Sequence, residues 1–224
     1  HTRYWRDWSS DVCSSDLEGR ASMPSAGRAD RIVETTREVL SKITGRENPQ
    51  PLLAVFDEPS DAARQGAAVD WTRASRWLLL ERPRDPGNLG GAIRSADAAG
   101  AGGVILAGPS CDPYSIEVVR ATMGSIFSVP LLRLGLDEAV QLVGRWPGSA
   151  VAATLEASVD YATPSYAAPA LLVLGSEADG LSPALRSACP TAVRIPMLGR
   201  AESLNLSVAA GIMLYAAERA QRGS

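Results

Sequence analysis

The chain is almost without histidine and lysine. His1 is the only histidine, and Lys42 is the only lysine among 22 Lys and Arg residues. This excludes a Ser-His-Asp triad, a Cys-His pair, a histidine-ligated metal and a histidine general base, unless the terminus itself enters a site. A P-loop lysine is missing as well. The three cysteines, Cys13, Cys111 and Cys189, are far apart, odd in number and form no CxxC. Neither a metal site nor a disulfide framework is expected, and reduced thiols of a cytoplasmic protein fit better. No apolar run approaches the roughly 18 residues of a membrane span. The longest candidate, 206–217, is interrupted by Ser207 and Gly211 and is expected to be a buried helix. A formal net charge of -3 excludes a globally basic coat for nucleic acid and leaves room only for a local basic patch. Chemistry on this chain must run on arginine, carboxylates, amides, hydroxyls and backbone, with any reactive group supplied by a cofactor.

What is present can build a core. A length of 224 residues, 46% hydrophobic and 21% charged, corresponds to one large domain or one plus part of a second. Residues 1–20 fit no targeting pattern: they lack an apolar centre and carry several acids. They are expected to be a foreign or misjoined leader outside the fold, with the native chain beginning near Ala21 or Met23. Apolar residues recur at helical spacing from Ala29 to Ile43, RENPQP breaks the pattern, and Leu52–Phe56 reads as a buried strand. Residues 57–70 read as a linker.

From Trp77 onward, short apolar strands alternate with helical segments. Strands are expected at WLLL (77), GVILA (103), FSVPLLRL (127), AVAATL (150), ALLVLG (170) and AVRIP (192), and helices at 89–100, 114–123, 136–145, 182–188 and 203–220. Continuous apolar strands alternating with helices imply an α/β fold, a parallel sheet with helices on both faces. Ligands of such sheets sit at the carboxyl ends of the strands. The loops after Leu80, Leu174 and Ile195 are therefore the candidates.

The first of these loops, ERPRDPGNLGGAIR, is stiffened by Pro83 and Pro86 and opened by Gly87, Gly90 and Gly91. Asn88 is placed to cap the next helix, and Arg94 lies about two turns into it. Dinucleotide binding is disfavoured, because neither GxGxxG nor an acid ending the next strand is present. In the second loop Gly175 permits close backbone approach after Leu174, Glu177 follows, and Ser182-Pro183 suit a helix start. In the third, Ile195-Pro196-Met197 ends a strand, and Ser203, Leu204, Asn205 and Ser207 open a helix. Each loop alone also suits an ordinary turn with caps.

Together they resemble the three motifs of the SpoU (TrmH) family of RNA ribose 2′-O-methyltransferases, within the SPOUT superfamily. The matching residues are Asn88-Leu-Gly90-Gly-Ala-Ile-Arg94, then Gly175-Ser-Glu177-Ala-Asp-Gly180, then Ile195-Pro-Met197 with Ser203-Leu-Asn205-Leu-Ser207, across residues 77–220. The resemblance implies a C-terminal deep trefoil knot, S-adenosyl-L-methionine as cofactor, a homodimer and RNA as substrate. It implies cofactor contacts at Leu174, Gly175, Ile195, Met197 and Leu204. It gives Arg94 the catalytic role, with Asn88, Glu177, Ser203 and Asn205 orienting ribose and loops. Ser176 stands where the family often has asparagine, a mild departure because the backbone makes the contact there.

The resemblance also sets the expected domains. Residues 21–70 hold the remnant of a substrate-recognition domain plus linker, and 71–224 the methyltransferase domain. Ribosomal RNA is the preferred substrate, transfer RNA the second choice, and an antibiotic-resistance methylation a narrower form. A non-catalytic RNA-binding relative is disfavoured by the intact Arg94 and Ser203-Leu-Asn205, and no metal or membrane is needed. Arg82, Arg84, Arg94, Arg194 and Arg200 would supply the local positive charge that the net value hides.

Overall fold

A computed structural model describes residues 10–14, 31–56 and 69–223. The chain divides into two compact units, His1–Ser60 and Asp61–Ser224. In the first unit β1 (Ser10–Ser14) pairs in parallel with β2 (Arg31–Glu34) and antiparallel with β3 (Leu52–Phe56). Ser10–Ser14, within the stretch expected to stand outside the fold, is thus the central strand of this sheet. The helix expected from Ala29 to Ile43 is β2 followed by α1 (Arg37–Thr44). Ile32 and Val33 are β-branched and take the strand, and Thr36 caps α1 through its hydroxyl. Most of the expected linker, residues 57–68, lies outside the described residues.

The second unit is a sheet of seven parallel strands in the order β6-β5-β4-β9-β7-β10-β8. These are β4 (Arg76–Glu81), β5 (Val104–Ala107), β6 (Leu131–Leu134), β7 (Ala150–Ala153), β8 (Val159–Asp160), β9 (Ala170–Leu174) and β10 (Thr191–Arg194). Side chains alternate across the sheet. Leu78, Leu80, Leu172 and Leu174 join one buried cluster; Trp77, Leu79, Leu171 and Val173 join the other. Helices α2 (Pro86–Ala98), α3 (Ile116–Ala121) and α6 (Leu206–Arg222) contribute to the first cluster, and α4 (Leu136–Gly144) and α5 (Pro183–Ala188) to the second. Burial on both faces explains why the strands read as unbroken apolar runs. No helix among the described residues is long and apolar enough to cross a membrane.

Several boundaries differ from expectation for local reasons. The strand expected from 127 starts only at Leu131, because Ser125–Phe127 is a 3-10 turn entered through Gly124 at φ 96, and Pro130 has no N–H for a ladder. Helix α2 begins at Pro86, with Asp85 as its cap: the Asp85 carboxylate accepts from the Asn88 N–H at 2.7 Å. Asn88 is therefore not the cap, and its side chain is free for another task. Helix α6 begins at Leu206 with Asn205 as its cap, which leaves Ser203 and Leu204 in the loop before it. Helices α3, α4 and α5 keep their expected places within a few residues.

Candidate active site

The strand register levels four carboxyl ends. Leu80 of β4 lies opposite Leu174 of β9, Leu174 opposite Ala153 of β7, and Ala153 opposite Val193 of β10. The loops leaving β7, β9 and β10 enclose a cavity of about 420 Å³. One wall is the continuous segment 174–181; facing it are Ile195, Met197, Ser203, Leu204, Leu206 and Ala209. All the expected cofactor contacts line it, namely Leu174, Gly175, Ile195, Met197 and Leu204, as do Glu177 and Ser203.

The β7 loop is an addition that the motifs did not signal. Thr154, Leu155 and Glu156 line the cavity, as does Arg186 of α5. The end of the AVAATL strand was the available clue, since every parallel strand end at this edge is a candidate.

The second loop is pinned on itself. The Ser176 N–H donates to the Gly180 carbonyl at 3.1 Å, and the Gly180 N–H donates back to the Ser176 carbonyl at 3.0 Å. Gly180 takes φ 65, a conformation that favours glycine. Gly175 lies against this turn so closely that a Cβ there would sit 2.0 Å from the Gly180 carbonyl carbon.

Three side chains join the three loops. Asn88 Nδ2 donates to Glu177 Oε1 at 2.8 Å, and Asn205 Nδ2 donates to Asn88 Oδ1 in a short hydrogen bond. Asn205 Oδ1 accepts from the Ser207 N–H at 2.9 Å, the Ser207 hydroxyl at 2.6 Å and the Val208 N–H at 3.4 Å. Only the oxygen can accept those donors, so the cap fixes the amide and aims its nitrogen at Asn88. Asn205→Ala is expected to lose about 1 kcal/mol of stability with the cap. Asn205→Asp keeps the cap but sets a carboxylate oxygen where the donor to Asn88 stood. Urea unfolding should therefore separate Ala from wild type more than it separates Asp.

Arg94 stands apart from the cavity. It is exposed on α2, and its side chain makes no hydrogen bond or ion pair among the described residues. Helical side chains lean over the preceding turn, which here carries Gly90 and Gly91. A Cβ on Gly90 would sit 2.4 Å from Ala121 Cβ, and one on Gly91 2.8 Å from Ser207 Cβ. The glycines thus let α2 close on α3 and α6. Of the other arginines, Arg84 pairs with Asp179 at 2.8 Å and Arg82 with Glu81 at 3.2 Å, whereas Arg194 and Arg200 are exposed. The Cys111 thiol is raised from its ordinary value by burial and by the charges of Glu177 and Asp85, so it is neutral near pH 7 and a poor nucleophile. Among the described residues, no group of three or more His, Cys, Asp or Glu is placed to hold a metal.

A parallel sheet with a cavity at its carboxyl edge and three polar loops tied by amides defines a small-molecule-binding α/β protein. A model of the SpoU rRNA Methylase family matches residues 75–215. The chain belongs to that family. A 23S rRNA (uridine(2479)-2′-O)-methyltransferase of Streptomyces viridochromogenes is 38% identical over 180 residues, 77% of this chain and 61% of that protein. The chain thus spans less than two thirds of that relative's length. The 23S rRNA (guanosine(2553)-2′-O)-methyltransferase RlmP of Bacillus subtilis is 31% identical over 180 residues, 80% of this chain and 69% of that protein. The crystal structure of an AdoMet-bound rRNA methyltransferase from Sinorhizobium meliloti superposes with a TM-score of 0.83 at 38% identity, covering 96% of this chain and 81% of that one.

Proposed function

We propose that this protein transfers a methyl group from S-adenosyl-L-methionine to a ribose 2′-hydroxyl of RNA, with ribosomal RNA the preferred substrate. The observation that carries this is the hydrogen-bonded chain Glu177–Asn88–Asn205, which ties all three family motifs together beside the cavity. Substrate names of the relatives point the same way: 23S rRNA for both the Streptomyces and the Bacillus protein.

The cavity suits the cofactor. Its volume of about 420 Å³ falls in the range of small-ligand sites. Leu174, Ile195, Met197 and Leu204 offer apolar surfaces for a purine. With Asp179 paired to Arg84, Glu156, Glu177 and Glu202 against the single Arg186 still leave the lining acidic, which suits a ligand carrying positive charge. When bound, S-adenosyl-L-methionine supplies an activated methyl on a sulfonium, so the protein needs no metal. Its residues have to align the acceptor and let the hydroxyl lose its proton. Positioning can account for several kcal/mol of such a barrier. Arg94 grips the RNA phosphate beside the target ribose with its planar fork and polarises the 2′-hydroxyl; the phosphate or a water takes the proton. Asn88, Asn205 and Ser203 orient the ribose against the loops, and Glu177 holds Asn88.

The same proposal includes the C-terminal trefoil knot, supported by the likeness to the Sinorhizobium methyltransferase structure. It includes a homodimer, supported by the exposed apolar residues Ile116, Met123, Val208 and Tyr215, and a cytoplasmic site of action, where ribosomal RNA is found. It also takes the first unit, whose sheet includes Ser10–Ser14, as a substrate-recognition domain joined by a linker. Tritiated-methyl transfer to ribosomal and transfer RNA tests the activity. Incorporation into ribosomal RNA is expected to exceed that into transfer RNA. Transfer to neither would contradict the proposal.

A further inference from the structure

The first loop is fastened to the second in antiparallel order: Glu81 meets Ser182, Arg84 meets Asp179, and Asn88 meets Glu177. The last two contacts are exposed. The first lies in the interior, because Glu81 is fully buried at the carboxyl end of β4, directly after the apolar run Trp77–Leu80. Its Oε2 accepts the Ser182 N–H at 2.7 Å. Its Oε1 lies 3.2 Å from Arg82 Nε, close enough for an ion pair but not aligned for a hydrogen bond. Arg82 adopts φ 48, an uncommon conformation for a residue with a side chain. A buried carboxylate is costly unless donors hold it, and a leucine at this place would continue the strand without that cost. The packing of β4 therefore gives no reason for an acid.

The second loop does. The cavity wall 174–181 starts at Leu174, fixed by its pairing with Leu80 and Ala153. It ends at Leu181, next to Ser182, the cap of α5, whose own N–H lies outside that helix and is taken by Glu81. The wall is thus anchored at one end by the sheet and at the other by this carboxylate. We infer that Glu81 is a positioning residue for methyl transfer: it fixes the exit of the second loop through the Ser182 amide and so holds the cavity wall against the methyl donor. The inference rests on the activity proposed above.

Three variants of the whole chain test it: wild type, Glu81→Gln and Glu81→Ala. S-adenosyl-L-methionine affinity is read by calorimetry, affinity for a ribosomal RNA fragment by filter binding, and the Ser182 amide by hydrogen exchange. Glu81→Ala weakens donor binding about tenfold, the scale of one lost charge-assisted hydrogen bond, and leaves RNA affinity within about twofold. The Ser182 amide exchanges faster, while amides within α5 stay protected. The Gln amide oxygen still accepts from Ser182, so Glu81→Gln keeps donor affinity within about threefold of wild type. Equal damage in Gln and Ala, unchanged donor affinity in Ala, or a joint fall of donor and RNA affinity would overturn the inference. If Glu81→Ala does not fold, Glu81→Gln decides: a protected Ser182 amide with lost donor affinity refutes the tether. A wild-type chain that binds no donor counts against the proposed activity, and the Ser182 exchange still decides whether Glu81 holds the loop.

Discussion

Arg94→Ala is expected to slow methyl transfer about a hundred- to a thousandfold, the range seen when one stabilising donor is removed from a transition state. Donor affinity should stay within about threefold, and stability within about 0.5 kcal/mol, as for other surface substitutions. Both follow from its position. Arg94 is exposed and lines no part of the cavity, so it supports neither the fold nor the donor. Arg94→Lys keeps the charge and loses the fork, and about a tenfold or greater fall in turnover is expected. Full turnover of the lysine variant would contradict a two-pronged grip on phosphate. Loss of donor binding in the alanine variant would move Arg94 to the donor side of the site.

Gly175→Ala should do the opposite: abolish donor binding while sparing the RNA side. The added Cβ would stand 2.0 Å from the Gly180 carbonyl carbon and 2.2 Å from both its oxygen and the Leu181 nitrogen. All three are backbone atoms, so no rotamer change relieves the clash, and the wall 174–181 has to open. A fall of about a hundredfold or more in donor affinity is expected, with a stability loss of about 1–3 kcal/mol as for other overpacked positions. Gly199→Ala in the third loop is the control. A Cβ there meets nothing within 4 Å and its φ is unremarkable, so it should be silent. Calorimetry with S-adenosyl-L-methionine distinguishes the two. Normal donor binding by Gly175→Ala would mean that the second loop is not the cofactor wall.

The three loops and the family were readable from sequence because glycine, proline and short polar residues punctuate them, and their order and spacing match one family. The parallel sheet was readable for a simple reason: strands buried on both faces, such as Trp77–Leu80 and Leu171–Leu174, leave no polar residues between the apolar ones. What was hidden depends on choices between equivalent local solutions. Asp85 and Asn88 are both good caps, and only the structure shows that Asp85 takes the role and frees Asn88 to bridge Glu177 and Asn205. Ile32 and Val33 fall at helical spacing with α1 yet belong to a strand. Thr154–Glu156 carry no motif, and their place in the cavity comes from the register of β7 against β9. Glu81 stands first in the loop sequence ERPR with nothing local to mark it as buried, and its partner Ser182 lies 101 positions away.

Methyl transfer to ribose requires a donor held in the cavity and Arg94 to act on the same sugar oxygen. The direct measurement is to label RNA with the enzyme and tritiated S-adenosyl-L-methionine, digest it with alkali, and locate the radioactivity. A 2′-O-methyl blocks cleavage at its own phosphodiester, so the label should remain in alkali-resistant dinucleotides, and Arg94→Ala should remove it. Label recovered in mononucleotides, as a methylated base would give, would contradict the account.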